Sequence, residues 1–500
     1  MKTTQKRSGE NNMFILLLAI LITGLIYFYR MGISGNDFWW HVKAGEWMVN
    51  NREIPYIDVF SWFAKENDIL WVSHEWLSDV FFYVIHAFLG DIGIFFLSLF
   101  SALGMSMLVV IRNKHGIKMN VLLSLLYLIP IIGMFPTFFY GRPQLISYFL
   151  LYGTLYCLYR YKEDESSKAI YFVPFISLLW SNFHGGSSTL PYILCFIFMF
   201  SGIFKFSIGK LDGEKLSKRQ IRTYLVVGIL SILTLVINPH GLQMLTYPFT
   251  NMGDSFMQLV ISEWAPPDAK KLPQLFSYFL PLFVVGLSFI STDKKIRIVD
   301  LLIFLFFTYM FFRSARFSIL FFIASTFFSF RYFVPREVKP MKTKLDSGIF
   351  YMIIVFFIAI NIFSISTMVN TVSEGNLLSV ALDREFIELI KEEEPERLFN
   401  DYNFGETLIY NDISTFVDGR ADVFSQYNLH DAISLLLLQQ TETSNENKIF
   451  NPEDIIEKYN FDAFLIDSER SLAVYLKNNP EKYELLLEDG NAVYFKVISK

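Results

Sequence analysis

The stretch WLSDVFFYVIHAFLG, residues 76–90, decides how the chain is threaded through a membrane. It is apolar, but it is short for a span and carries Asp79 and His86. We interpret it as an interfacial helix that leads into the following span. Counting it as a span would move every later loop to the opposite side.

The rest of the chain is rich in apolar and aromatic residues. Of its 500 residues 53% are hydrophobic, 18% are aromatic and only 18% are charged. Soluble domains are about one-quarter charged, so this composition predicts a polytopic α-helical membrane protein. Apolar runs indicate about eleven spans, near residues 13–30, 92–111, 120–139, 144–160, 169–181, 188–205, 221–237, 274–291, 299–312, 316–333 and 348–368.

The distribution of Lys and Arg orients these spans. With eleven spans and the N-terminus inside, the inner segments contain 23 Lys and Arg, and the outer segments before the tail contain nine. Positive charge is enriched on the inner side of membrane proteins. The sequence therefore predicts a multi-pass plasma-membrane protein whose C-terminal tail is extracytoplasmic.

Charge also divides the chain into two domains. Residues 371–500 contain 26 acidic and 11 basic residues, whereas the remainder has a net charge of about +10. We predict a transmembrane domain over 1–369, with a first outer loop at 31–91, and an α/β domain over 370–500. In the tail, 383–396 and 449–460 are predicted helices, and the predicted strands are 397–410, 415–420, 461–467 and 491–497.

The motif GNDFWWH (35–41) begins the first outer loop. Asp37 and His41 are four residues apart and would share one face of a helix, where they could act on one substrate or metal. The alternative is that Trp39 and Trp40 anchor the membrane interface while Asp37 caps a short helix.

The motif SHEW (73–76) ends the same loop. Glu75 could converge with Asp37, giving one base and one partner or metal ligand, with His74 beside them. Alternatively, Ser73 and Glu75 start a helix and nothing more.

Cationic side chains occur at the outer ends of five separate spans. Arginine binds phosphate with two hydrogen bonds, so a shared pocket for a phosphate at headgroup depth is one interpretation. Contact with lipid headgroups is the other. The residues are Arg142, His184, His240, Arg313 and Arg316.

Two further segments allow two interpretations each. Glu263 and Asp268 flank two prolines in an outer loop that either gates a pocket or is simply rigid. The tail motifs NDYNFGETL (400–408) and VDGRADVF (417–424) indicate turns or an acceptor-binding surface.

No Walker loop, dinucleotide fingerprint or cysteine–histidine metal pattern stands out, and the inner loops are too short for a nucleotide-binding domain. This argues against ATP-driven transport and against cytosolic nucleotide-sugar donors. We expect no nucleic-acid partner. An enzyme working outside must then take its activated donor from a lipid.

The chain resembles the C-type (GT-C) superfamily of membrane glycosyltransferases. The similarity lies in an acidic residue at the start of the first outer loop, many spans and an outward α/β tail. The motifs DFWWHVKAGEWMV, WVSHEWLSDV, GRPQLIS, LWSNFHGG, NPHG and VDGR are also similar to a family of bacterial polytopic proteins placed near that superfamily.

The resemblance implies transfer of a sugar from a polyprenyl-phosphate-type lipid to an extracytoplasmic glycan, lipid or protein hydroxyl. Asp37 would be the general base, and Glu75 would position the acceptor or share a divalent cation, Mg or Mn, with it. The substrate-binding residues would be His41, His74, Arg142, His184, His240, Glu263, Arg313 and Arg316. The alternatives are a non-enzymatic transporter or assembly factor for an envelope glycan or lipid, and a scaffold whose tail binds a partner.

Overall fold

A computed structural model describes residues 2–30, 32, 37–119, 121–250, 263–333, 347–373, 381–439 and 450–498. The chain forms two compact units. The helical unit comprises Met1–Ser34 and Phe88–Leu378, and the α/β unit comprises Gly35–Ala87 and Ser379–Lys500. Most of the predicted first outer loop thus shares a unit with the C-terminal tail.

The helical unit consists almost entirely of helices whose sequences are strongly apolar. Because a helix satisfies its own backbone hydrogen bonds, it is the form that such segments adopt in an apolar environment. Its helices are Lys2–Tyr29, Val121–Phe138, Gln144–Glu163, Val173–Phe183, Leu190–Ser201, Lys218–Thr234, Tyr247–Thr250, Leu272–Gln274, Leu280–Ser291, Ile298–Arg313, Ser318–Ser325, Ser329–Tyr332 and Ser347–Ser373.

Three helices in the described part of the chain are long and apolar enough to cross a membrane: Trp76–Lys114, Leu272–Ser291 and Tyr351–Val372. The first belongs to the helix Trp76–Met119, which runs through a kink at Gly90, where φ is +60°. Residues 76–90 therefore form a helix that continues into the next apolar segment, and the interfacial position of this helix stays a prediction. The total of about eleven spans stays a prediction, and most of the basic inner segment 331–344 lies outside the described residues.

A small three-stranded sheet connects two loops of the helical unit. Its strands are β1 (Phe206–Ile208), β2 (Leu211–Gly213) and β3 (Ile296–Arg297). β1 and β2 are antiparallel, whereas β2 and β3 are parallel.

The α/β unit is built on a mixed four-stranded sheet. The strands are β4 (Leu398–Asn400), β5 (Ala463–Asp467), β6 (Tyr483–Asp489) and β7 (Ala492–Val497), in the order β4-β5-β7-β6. β4 and β5 are parallel, and the other pairs are antiparallel. Gly490, with φ +53°, provides the tight turn between β6 and β7.

Helices from both segments of the α/β unit surround this sheet. Arg384–Glu393 is strongly amphipathic and buries Phe386 and Ile390 against the sheet core. The first segment contributes Phe38–Asn51, Trp62–Glu66 and the start of Trp76–Met119. The tail contributes Arg384–Glu393, Gly405–Tyr410, Ala421–Phe424, Leu429–Leu437, Pro452–Tyr459 and Ser471–Lys477.

The first segment packs on the edge of the sheet through Trp62. Its indole Nε1 donates a 3.0 Å hydrogen bond to the Leu398 carbonyl in β4, and its ring stacks on Phe416 with centroids 5.4 Å apart. Because β4 is an edge strand, this contact also covers backbone that would otherwise be exposed.

The structure confirms some tail elements and corrects others. The helices at 384–393 and 452–459 and the strands β5 and β7 were predicted. The predicted strand over 397–410 is wrong beyond Asn400, because Asp401 caps a helical turn and Gly405 starts a helix. The predicted strand over 415–420 is also wrong, since this segment is irregular apart from a bridge at Thr415.

Candidate active site

Asp37 lies immediately before the helix Phe38–Asn51. Its own backbone is helical (φ −53°, ψ −27°), and within the described residues its side chain forms no capping hydrogen bond. A helix cap has extended backbone and accepts from an amide two or three residues later. Asp37 therefore does not cap this helix through its side chain, and its carboxylate is half-buried.

A second carboxylate, Glu406, approaches Asp37 beside Gly419. A Cβ atom added at Gly419 would lie 2.2 Å from Glu406 Oε1 and 3.3 Å from Asp37 Oδ1. These two oxygens are consequently within 5.5 Å of each other. A side chain at position 419 would displace the Glu406 carboxylate, so glycine leaves room for it.

Tyr402, a residue of the C-terminal tail, also lies beside Gly419. Its hydroxyl donates a 3.1 Å hydrogen bond to the Gly419 carbonyl. Burial raises the pKa of Tyr402, and the neighbouring negative charges of Glu406 and Asp37 raise it further. The site thus holds several carboxylates in partly dehydrated surroundings.

Arg420 fixes the turn that presents Gly419. Its guanidinium donates to Asp418 at 2.6 and 2.8 Å and to Asp58 at 2.6 and 3.2 Å. Burial disfavours the charged form, but the two carboxylates outweigh burial and raise the pKa of Arg420. Asp58 comes from the first segment, so this ion cluster joins two parts of the chain 362 residues apart.

Aromatic rings enclose the Arg420 guanidinium. Its central carbon lies 4.8 Å from the ring centroid of Trp71, 5.1 Å from Phe60 and 6.0 Å from Trp40. Such rings attract a cation and exclude water, which strengthens the ion pairs they surround.

His41 connects two acidic residues at the start of helix Trp76–Met119. Its Nδ1 is 2.6 Å from Asp79 Oδ1, and its Nε2 is 3.8 Å from Glu75 Oε2. His41 and Asp79 are both buried. Gly45 makes this approach possible, because a Cβ there would be 2.1 Å from the Asp79 carbonyl oxygen.

His74 contacts Glu75 from the opposite direction. Its Nε2 is 3.4 Å from Glu75 Oε1. Burial lowers the pKa of His74, but the carboxylates of Glu75 and Asp422 outweigh this effect and raise the pKa above its usual range. Glu75 therefore lies between two imidazoles, His41 and His74.

This group of residues suits proton transfer and cation binding. A carboxylate such as Asp37 can accept a proton from a hydroxyl within hydrogen-bonding distance. Carboxylate oxygens are also the ligands preferred by Mg²⁺ and Mn²⁺. Within the α/β unit, Glu75 and His74 are close enough to share a cation, since Glu75 Oε1 and His74 Nε2 are 3.4 Å apart.

In the helical unit, Arg142 and Glu263 form the closest pair among the predicted site residues. Arg142 Nη1 donates to both Glu263 oxygens, at 2.9 and 2.8 Å. The Arg316 guanidinium is 4.9 Å from the Trp264 ring centroid, and its amide donates to the Glu263 carbonyl at 3.2 Å. Three predicted residues thus meet at one loop, 263–265.

The remaining predicted residues of the helical unit lie at other points. His184 ends the helix Val173–Phe183, and its Nδ1 is 2.7 Å from Ser147 Oγ. His240 lies in a turn, where its backbone amide donates to Asn238 Oδ1. The Asn238 side-chain amide donates to the Ser181 carbonyl of the helix Val173–Phe183. Arg313 is exposed in the last turn of Ile298–Arg313.

Several residues of the site in the α/β unit were not predicted from the sequence: Asp58, Glu406, Asp418 and Arg420. Glu406 and the Asp418–Arg420 turn belong to tail motifs that were noted for their composition. What the sequence does not show is that these charged residues are buried, each at 2% exposure or less.

Comparison with solved structures gives the fold. The archaeal oligosaccharyltransferase AglB from Archaeoglobus fulgidus, in complex with an inhibitory peptide and a dolichol-phosphate, superimposes with a TM-score of 0.52. The match has 11% sequence identity and covers 93% of this chain and 70% of that chain. The chain resembles this oligosaccharyltransferase in fold.

The apo crystal structure of the Archaeoglobus fulgidus oligosaccharyltransferase also matches, with a TM-score of 0.49 and 11% identity over 92% of this chain and 70% of that chain. No protein-family model and no curated protein sequence matches the chain. At this identity the likeness concerns the fold and not the substrates.

Proposed function

We propose that the protein is an integral membrane glycosyltransferase. It transfers a sugar from a polyprenyl-phosphate-type lipid to a hydroxyl of an extracytoplasmic glycan, lipid or protein. The observation that carries this proposal is Asp37, a carboxylate that does not cap its helix and lies within 5.5 Å of Glu406. The GT-C-like fold supports it independently.

In the proposed reaction, Asp37 is the general base. The acceptor oxygen forms a bond to the anomeric carbon as its proton passes to an Asp37 oxygen. The bond from the anomeric carbon to the phosphate oxygen breaks, and the lipid phosphate leaves with the electron pair. Direct displacement inverts the anomeric configuration, and a positioned base contributes about 10²–10⁴-fold to such a rate.

Glu75 is assigned to the acceptor side of the reaction. The imidazoles of His41 and His74 hold its carboxylate in one orientation, which suits a residue that positions a hydroxyl. If a Mg or Mn ion is bound, Asp37 and Glu75 would be ligands, and the ion would supply positive charge for the phosphate that leaves.

The cationic residues of the helical unit are assigned to the donor phosphate. Arg142 and one of Arg313 or Arg316 would bind its oxygens, and His184 and His240 would add positive or hydrogen-bonding groups. Stabilising the phosphate as its charge increases favours departure of the lipid.

The first experiment is mass spectrometry of lipid extracts from cells lacking the gene, complemented with wild type or with Asp37→Asn. A polyprenyl-linked sugar should accumulate in the deletion and with Asp37→Asn, but not with wild type. Because asparagine has nearly the same shape as aspartate, the purified variant should remain folded, which a melting curve checks. A fully active Asp37→Asn protein would refute the assignment and favour the transporter or scaffold alternative.

A further inference from the structure

The carboxylate of Glu263 binds the guanidinium group of Arg142 where a phosphate would bind. Both Glu263 oxygens accept from Arg142 Nη1, at 2.9 and 2.8 Å. The Arg142 guanidinium also lies over the Tyr140 ring, with its central carbon 4.5 Å from the centroid. The arginine is therefore held in place by its ring contact while its donors face an anion.

A second arginine adds positive charge at the same carboxylate. Burial alone would raise the pKa of Glu263, but Arg142 and then Arg316 outweigh it, and the pKa is lowered. Arg316 remains stacked on Trp264 and does not take the carboxylate for itself. Two guanidinium groups thus create one anion position, which Glu263 fills.

The backbone of Glu263 is anchored independently of its side chain. Its carbonyl accepts from Ser314 Oγ at 2.8 Å and from the Arg316 amide at 3.2 Å, and the Ala265 carbonyl accepts from the Ala315 amide at 2.9 Å. The carboxylate can therefore rotate away from Arg142 without detaching loop 263–265 from segment 314–316.

We propose that Glu263 is a resident counter-ion, and that a phosphate ester displaces it from Arg142 when the ligand binds. The identification of that ester as the polyprenyl monophosphate that leaves in the reaction rests on the proposed function. Carboxylate and phosphate present similar acceptors to an arginine, but a phosphate monoester carries about −1.5 to −2 charges at neutral pH. The ester therefore competes successfully, whereas weakly held anions do not.

This exchange gives the site selectivity. Inorganic phosphate must displace Glu263 with no other contact to compensate, whereas a lipid phosphate also gains from burial of its chain. If Glu263 occupies Arg142 about nine-tenths of the time, removing its charge should tighten phosphate binding about tenfold.

The test measures binding of a polyprenyl monophosphate to the full-length protein in nanodiscs, with the matching polyprenyl alcohol as the uncharged probe. Glu263→Gln should bind the phosphate about tenfold more tightly and the alcohol unchanged. Arg142→Gln should weaken phosphate binding, and the double variant should match Arg142→Gln alone. The control is Glu163→Gln, which removes another glutamate paired with an arginine of the same unit, Arg297 at 3.8 Å, and should change neither affinity.

Competition with inorganic phosphate distinguishes a lipid phosphate from free phosphate as the ligand of this site. Inorganic phosphate should displace the lipid from Glu263→Gln at lower concentration than from wild type. If Glu263→Gln binds the polyprenyl monophosphate equally or more weakly, the counter-ion proposal is wrong. Should Glu263→Gln fold poorly, Glu263→Asp, whose shorter side chain withdraws from Arg142, should show the same direction of change.

Failure of this proposal is distinguishable from failure of the proposed function. Binding is measured without turnover, whereas the glycosyltransferase assignment depends on accumulation of the donor lipid with Asp37→Asn. Unchanged binding by Glu263→Gln with an inactive Asp37→Asn would remove only the counter-ion role.

Discussion

His41 Nδ1 and Asp79 Oδ1 are 2.6 Å apart and join the helix Phe38–Asn51 to the start of the helix Trp76–Met119. Both side chains are buried, so this bond is shielded from water and salt. It leaves Nε2 of His41 directed towards Glu75 at 3.8 Å. His41 is therefore suited to positioning Glu75.

Asp79→Asn should weaken the link between these two helices. An amide replaces the carboxyl group at a buried hydrogen bond, and the expected loss of stability is about 1–3 kcal/mol. The measurement is the unfolding midpoint of the purified protein. Asp412→Asn is the control, because Asp412 pairs with Lys43 of the same helix at 2.8 Å but is exposed, and its loss should cost under about 1 kcal/mol. Equal effects of the two substitutions would contradict a special role for the buried bond.

Arg420→Ala should destabilise the α/β unit strongly. It leaves Asp58 and Asp418 buried without their cation, which costs about 3–5 kcal/mol. Arg420→Lys should rescue only part of this loss, because an ammonium cannot reproduce the paired hydrogen bonds. Limited proteolysis of the tail and thermal unfolding both report the effect. Arg384→Ala, which breaks an exposed pair with Glu388, should change stability by no more than about 0.5 kcal/mol.

Two glycine substitutions should separate stability from function. In Gly419→Ala the new methyl group meets the flexible end of Glu406, so the carboxylate moves, activity falls and the fold persists. In Gly405→Ala the methyl group lies 2.5–2.8 Å from Asp418 Cβ, Asp418 Cα and the Val417 carbonyl oxygen, so backbone must shift at a cost of about 1–3 kcal/mol. Paired melting curves and turnover assays check this contrast, and an unstable Gly419→Ala would count against it.

The stability contributed by Glu263 should depend on pH in the acidic range. Its pKa is lowered in the folded state from an ordinary value of 4.5. Its contribution is therefore fully present above pH 4.5 and is lost as the pH falls through the lower, folded-state pKa. Melting temperatures of wild type and Glu263→Gln, measured from pH 7 to pH 3, should differ by a constant amount at first and then converge. Curves that stay parallel to pH 3 would contradict this ion pair.

Local sequence patterns predicted the helices at 384–393 and 452–459, because the apolar spacing of the first and the first-turn proline of the second act within one or two turns. They also identified the apolar segments that form the helical unit. The same reasoning failed at 405–410, where GETLIY was predicted as a strand and forms a helix. Close packing of Gly405 against Val417 and Asp418 accompanies this outcome, and such a contact is not a local property.

The sequence by itself distinguished apolar helical segments from an acidic tail, and it singled out Asp37. Only the tertiary structure decided that Asp58 and Arg420 form a buried ion cluster, and that Glu406 joins Asp37 beside Gly419. The physical reason is the distance along the chain over which each interaction acts. Hydropathy and helix capping depend on neighbours along the chain, whereas the burial of a charge depends on partners that folding brings from hundreds of residues away.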